Sequence, residues 1–398
     1  MIGRTGPDRD RRFLLLYALA WAGGAIAYTP FLTILLPVRI ELVGGGDSVQ
    51  WLAVTTFCGA IMASAANIFF GWLSDRSGTR RPWVLAGLLL SGGLLMLVPR
   101  AHSLAALTAL ILAWQGALNM MLGPLAAWAA DVVPDRHKGL LGGLLAFAPA
   151  SGALTGALVT IPNLAGPTLR LGLVAAITTA CVLPIILFGR ARRVEDEPPP
   201  EQATPVPLLR AMATRMWFAR LMIQVSEAAL FAYLYVWLRG VDGGFGDAAI
   251  ARLLAIVLLL AAPAALAAGY AADRRGRPVR PLRIAAVVAA IGLFAMALAD
   301  DGVEATIGFL IFGLATNIFL ALHSAQTLRV LPDSRSRGRD LGLFNLTNTV
   351  PSLVMPSLTI GLVPLLGFPA LFAVMALLSL GAAALLRGLA LGEQRSGR

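Results

Sequence analysis

The chain is short of charge, of thiols and of lysine. Asp, Glu, Lys and Arg make up only 13% of its 398 residues, and 58% are hydrophobic. A soluble domain carries about 25% charged and about 45–50% apolar residues, so an aqueous fold is excluded and the bilayer is the solvent. The two cysteines, Cys58 and Cys181, lie inside apolar runs and read as buried free thiols, which leaves no disulfide framework. No metal-ligand cluster, nucleotide-binding loop or nucleophile–base set is present. The triple glycine at 44–46 has no following lysine. An enzyme and an ATP-driven pump are both disfavoured, and no cofactor is expected beyond a coupling ion, a proton or Na+. The net charge of +11 does not indicate nucleic acid, because the arginines sit between the apolar segments rather than in one basic domain.

What the chain has instead is length and oil. In lipid only helices and closed barrels satisfy their backbone. Barrel strands alternate apolar and polar residues, whereas here apolar runs last about 20 residues, the crossing length of a helix. Twelve helices are expected, roughly 13–38, 49–73, 82–99, 103–131, 139–162, 170–189, 215–238, 248–271, 281–299, 304–330, 340–364 and 368–390. The first follows "RTGPDRDRR", is too long for a signal peptide and is expected to be retained. The longest polar segment, "RARRVEDEPPPEQATPVP", opens a linker over 190–214 between a six-helix bundle at 1–189 and a second at 215–398.

The basic residues orient the chain. With the N-terminus inside, one side collects Arg4, Arg9, Arg11, Arg12, Arg76, Arg80, Arg81, Arg136 and the single lysine, Lys138. The linker, the later loops and the tail add many more. The other side keeps only Arg39, Arg100, Arg170, Arg239 and Arg252. The positive-inside rule then puts both termini in the cytoplasm of a cell with this protein in its inner membrane.

The halves repeat. At an offset of 198, Gly71 falls on Gly269, Asp75 on Asp273, Arg76 on Arg274, Gly78 on Gly276, Asn119 on Asn317, Pro134 on Pro332 and Asp135 on Asp333. Parallel six-helix repeats build one large class of secondary transporters, with substrate near the midplane between the repeats.

"GWLSDRSGTRRP" (71–82) matches in full the loop signature of the major facilitator superfamily, G-x-x-x-D-R-x-G-x-R-R, through Gly71, Asp75, Arg76, Gly78, Arg80 and Arg81. A second, degenerate copy keeps Gly269, Asp273, Arg274 and Gly276. The chain therefore resembles that superfamily over nearly its whole length. The resemblance implies an all-α membrane protein with twelve transmembrane helices in two pseudo-symmetric bundles, working as a monomer by alternating access. It also implies a cytoplasmic latch. Asp75 can attract a helix N-terminus, the arginines can bridge to acidic or carbonyl groups, Gly71 allows close helix approach and Gly78 a tight turn. Asp131 and Arg329, at matching ends of helices 4 and 10, are gate candidates or interfacial anchors.

"AADVVPDRHKG" (129–139), "GLFNLTNTVPSLVMP" (342–356) and "SDRSGTRRPW" are also similar to segments of glycoside–pentoside–hexuronide and sucrose-type cation symporters. Helices 1 and 2 lack the mid-membrane acid that such symporters use. Gly152 and Gly156 form a small-residue face on helix 5, but Ala157 stands where the antiporter motif has proline, and Leu112 where many exporters carry a helix 4 arginine. Both departures count against a drug/proton antiporter.

Ionisable residues inside spans are costly and functional by default. Glu227, halfway along helix 7, is the proton-coupling candidate, since a carboxylate removed from water can take and release a proton near neutral pH. Arg220, Gln224 and Glu227 share a face, and a structural pair of Arg220 with Glu227 is the alternative. His323, inside helix 10, is a relay or a packed, hydrogen-bonded ring. Tyr17, Trp21 and Tyr28 on helix 1, with Gln115, Asn119, Gln224, Asn317, Asn345 and Asn348, are candidate substrate contacts: amides pair hydroxyls and rings cover sugar C–H faces. Their alternative is helix glue. The leading expectation is proton-coupled uptake of a small organic solute, a sugar or glycoside. Export of amphipathic compounds, an uncoupled facilitator and a non-transporting receptor or assembly factor stand as rivals.

Overall fold

The computed structural model describes residues 7–44, 48–134, 137–161, 166–189, 206–243, 247–331 and 336–396. Among the described residues the chain is helical throughout, with no strand. The order is α1 (Pro7–Pro30), a π-helical turn (Phe31–Leu35), α2 (Leu36–Gly44), α3 (Ser48–Ser77), α4 (Arg81–Leu97), α5 (Leu104–Val132), α6 (Lys138–Leu145), α7 (Phe147–Val159), α8 (Pro167–Phe188), α9 (Val206–Val241), α10 (Asp247–Arg274), α11 (Val279–Ala297), α12 (Gly302–Thr327) and α13 (Arg337–Ser396).

Prolines and one glycine explain where these helices depart from the expected spans. Pro30 has no N–H to give Ile26, and the helix widens into the π turn directly after it. Pro149 likewise cannot bond back to Leu145, so the expected single helix 139–162 is broken at Ala146 into α6 and α7. Gly367, at φ +73°, separates two helices inside α13 close to the expected boundary between 364 and 368. The linker expected over 190–214 is shorter: α9 already runs from Val206, with Pro207 in its first turn, and 190–205 lie outside the described residues.

Among the described residues, ten helical stretches are long and apolar enough to cross a bilayer. The two expected crossings outside that set are α9 and residues 337–360 of α13, which carry the polar side chains described below.

Two compact units divide the chain. One comprises Met1–Val133, Phe147–Gln202 and Asp333–Asn345; the other comprises Pro134–Ala146, Ala203–Pro332 and Leu346–Arg398. Each therefore takes in a short piece of the other half of the sequence. In the first unit Phe31 packs edge-on to Trp114 at 4.7 Å, and Phe13 meets Trp128. Gly152 and Gly156 seat α7 against Ala25, Thr29, Pro30 and Ile34. In the second, Trp237 packs edge-on to Phe372 at 4.8 Å within a core that includes Leu238, Leu293, Phe309 and Phe312. Small residues at crossings give the close contact that helices need in lipid, where burying oil brings no gain.

Candidate functional site

The signature loop builds a charged cluster inside the first unit. Asp75, near the end of α3, accepts the backbone N–H of Gly338 (2.9 Å) and of Arg339 (3.0 Å). These amides lie in the first turn of α13, where N–H groups have no partner in their own helix and the helix dipole favours an anion. Arg80 spans two carboxylates, Nη1 to Asp75 Oδ1 at 2.7 Å and Nε to Asp131 Oδ2 at 2.9 Å, and also donates to Ser74. Arg337 reaches Asp131 at 3.4 Å. Burial opposes the charge of Arg80, but Asp131 and Asp75 outweigh it and hold the guanidinium pKa above its ordinary value.

The backbones meet where this cluster forms. A side chain on Gly71 would collide with the backbone of Gly338, and one on Gly338 with that of Gly71. Gly78, at φ +65°, then turns the chain into α4.

The second unit holds a counterpart. Asp273, at the end of α10, accepts the N–H groups of Gly139 (3.0 Å) and Leu140 (2.9 Å) in the first turn of α6. Arg329 binds Asp273 at 2.9 Å, and Lys138 donates to the Leu328 carbonyl at 2.9 Å. Gly139 and Gly269 are again in backbone contact.

Not every signature arginine joins these clusters. Arg76 and Arg274 lie exposed over the rings of Trp72 (5.8 Å) and Tyr270 (4.7 Å). Arg81 donates to the carbonyl of Gly189 at the end of α8 and lies over Trp128. Conversely, Gly338, Arg337, Gly139 and Lys138 belong to the clusters without having been singled out for them. A spacing marks the glycines: Gly139 and Gly143, and Gly338 and Gly342, are G-x-x-x-G pairs 199 positions apart, one residue off the main offset. Gly143 and Gly342 also press on backbone, at Leu266 and Ile68 respectively.

A polar group in the second unit joins α9, α12 and α13. Arg220 donates from Nε to Thr347 Oγ1 (3.1 Å), from Nη1 to Ser324 Oγ (3.0 Å) and, at 3.5 Å, towards His323 Nδ1; Nη2 makes a 3.4 Å contact with Asn348 Oδ1. Gln224 donates to the same Asn348 oxygen at 2.7 Å. His323 is fully buried, with Nε2 at 2.9 Å from the Met216 carbonyl. A carbonyl only accepts, so Nε2 carries the hydrogen and Nδ1 is the acceptor facing Arg220. Glu227 is half-buried one turn beyond Gln224, and among the described residues it has no hydrogen-bond or ion-pair partner. The charge acting on it is that of Arg220.

The other candidate substrate residues are dispersed. Asn119 accepts from Asn67 at 3.0 Å and donates to the Gln115 carbonyl at 3.0 Å, so its buried amide ties α5 to α3. Asn317 donates to Gly313 within its own helix. Tyr17 is buried between Phe13 and Trp21 at ring distances of 6.1 and 6.0 Å, whereas Tyr28 is exposed, so the aromatic stripe of α1 is not one surface. Asn345 belongs to the first unit and Asn348 to the second.

Comparison with known proteins agrees with this architecture. The family model described as Major Facilitator Superfamily matches residues 13–320 and 217–396. An uncharacterized MFS-type transporter of Mycobacterium tuberculosis is 25% identical over 332 residues, covering 79% of this chain and 71% of the relative. The crystal structure of the human organic anion transporter MFSD10 (TETRAN) superposes with a TM-score of 0.74 at 15% identity, covering 96% of this chain and 100% of that one. The Escherichia coli fucose:proton symporter FucP gives 0.72 at 14% identity over 95% and 98%. A bacterial homologue of the iron transporter ferroportin, in its outward-facing state, gives 0.69 at 16% over 98% and 100%. These structural likenesses concern the fold.

Proposed function

The chain belongs to the major facilitator superfamily, and from that premise we propose that it carries a small hydroxyl-bearing organic solute, a sugar or glycoside, inward together with a proton. One observation carries this reading: Glu227 is a half-buried acid midway along α9, an expected crossing, with no hydrogen-bond or ion-pair partner among the described residues. An acid kept there for structure would be paired, because an unpaired buried charge is expensive. An acid that must load and unload a proton has to be left available. The same fold moves a sugar with a proton in FucP, and the amides of Gln224 and Asn348 beside Glu227 suit hydroxyl groups.

In this reading the Asp75 and Asp273 clusters are latches on the cytoplasmic side. Each holds a helix N-terminus by a carboxylate, and each must release it for solute to leave. Charge-assisted bonds of this kind suit a reversible catch, since they reform at the same atoms and are strong only when both partners are in place.

The test is transport by the purified protein in liposomes, with a panel of sugars, glycosides and amphipathic drugs, with and without an imposed pH gradient. The expected result is accumulation of a sugar or glycoside driven by an inward proton gradient. Downhill flux indifferent to pH would replace this reading with a facilitator, and drug efflux with an exporter.

A further inference from the structure

Arg220 is a cation held by neutral groups. Thr347, Ser324, His323 and Asn348 accept its hydrogen bonds, and none of them cancels its charge. Glu227 lies seven residues on along the same stripe, about 10 Å up the axis, and forms no ion pair with it. The four neutral partners fix the plane and direction of the guanidinium, while its Nη2 edge makes only the 3.4 Å contact with Asn348. Next to that edge, Gln224 gives its Nε2 to Asn348 and keeps a buried Oε1 that accepts from no described group. A planar fork with a fixed orientation, one weakly engaged edge and an adjacent unused acceptor matches a carboxylate flanked by a hydroxyl.

We propose that Arg220 docks a carboxylate on the solute, so that the sugar or glycoside named above is an acidic one, a hydroxyl-bearing organic anion taken up with one proton on Glu227. The proton half of this statement rests on the function proposed above.

Charge balance then explains the coupling. In the empty carrier the positive Arg220 and the negative Glu227 sum to zero. With the anion on Arg220 and a proton on Glu227 the sum is zero again. With only one ligand bound, a net charge of one sign is left inside the membrane helices, and desolvation opposes its passage. Only the empty and the doubly loaded carrier cross readily, which fixes one proton per monovalent anion and makes the uptake electroneutral. A neutral sugar carried with a proton would leave one positive charge to move, and membrane potential would drive it. Among the described residues the charged or titratable groups around the pair are each other and, from α12, His323. Its Nδ1 faces Arg220 as an acceptor, so the ring positions the guanidinium rather than passing protons.

The test uses the purified full-length protein and a panel of acids: D-glucuronate, D-gluconate, D-galacturonate, lactate and benzoate, each paired with its neutral amide. Binding is read first, by thermal stability without any gradient. At least one acid is expected to stabilise the native protein at concentrations tenfold or more below its amide. Arg220→Lys should weaken that preference and Arg220→Gln remove it. Should Arg220→Gln fail to fold, the paired ligands and Arg220→Lys decide. Uptake of the preferred acid into liposomes should then follow a pH gradient and ignore an imposed membrane potential. Equal binding of acid and amide, no acid bound at all, preference surviving in Arg220→Gln, or uptake driven by potential alone would each overturn the proposal. Acid binding intact with uptake indifferent to pH would instead overturn the proton reading of Glu227 and leave the carboxylate dock standing.

Discussion

Asp131 and Arg329 stand at matching places, 198 positions apart, and carry opposite charge. Asp131 receives Arg80 and Arg337, whereas Arg329 binds Asp273 directly. The position matching Arg80 in the second half is Pro278, which has no cation to offer. Arg329 therefore supplies from the end of α12 what Arg80 supplies from the loop before α4. Each unit keeps the same device by different residues: a carboxylate capping a helix N-terminus, with a guanidinium fixed on it.

Removing the cap should loosen the helix it holds. Asp75→Asn weakens two charge-assisted bonds and an ion pair, about 2 kcal/mol in all, equivalent to roughly 30-fold more frequent opening. Hydrogen exchange read by mass spectrometry should rise in the peptide covering residues 336–342 while α11 stays protected. Asp273→Asn should do the same for residues 138–141.

The signature arginines should differ sharply in worth. Arg80→Ala removes the guanidinium shared by two buried carboxylates, leaving Asp75 only its backbone N–H donors and Asp131 only the longer contact with Arg337, and breaking a buried pair in this way costs about 3–5 kcal/mol. Arg76 is exposed over Trp72, and Arg76→Ala should stay within about 0.5 kcal/mol. Thermal unfolding of the two variants in detergent checks the contrast. Equal losses would mean that the loop acts only through its net positive charge.

The glycine contacts should tolerate no methyl group. Gly71→Ala and Gly338→Ala each place a Cβ against backbone that cannot turn aside. Overpacking of this kind costs about 1–3 kcal/mol. Both variants should lower thermal stability and transport, while Gly93→Ala, which meets open space, should leave both unchanged.

Much of this architecture was legible in the chain itself, because hydropathy, arginine placement and the repeated loop are local signals. Asp75 was readable as a helix-capping acid because it stands in a spaced motif. Its partners, Gly338 and Arg339, were not, because they lie more than 260 positions away and the G-x-x-x-G pairs marking such contacts are offset by 199 rather than 198. Arg220, Gln224 and Glu227 could be placed on one face by helical spacing alone. That Thr347 and Ser324 hold Arg220, with no carboxylate paired to it among the described residues, depends on tertiary packing. Asn119 could be read equally as a ligand contact or as glue, and only its partner Asn67 distinguishes the two.

That amide pair gives a further expectation. Asn67→Ala and Asn119→Ala should each cost little stability, and a double-mutant cycle should return a coupling of about 0.6 kcal/mol, the usual worth of an interhelical polar bond in a membrane. Solute affinity should not change in either variant. A loss of affinity in Asn119→Ala without coupling to Asn67 would return that residue to the binding site.

The central claim is that Glu227 carries the proton, and one measurement tests it most directly. Uptake into liposomes is followed for the native protein and for Glu227→Gln, in two modes: accumulation against a solute gradient driven by an inward proton gradient, and exchange of labelled for unlabelled solute with no gradient. The native protein should accumulate solute, and Glu227→Gln should lose accumulation at least tenfold while still exchanging, because a neutral amide mimics the permanently protonated carrier. Accumulation by Glu227→Gln at the native level would contradict the account.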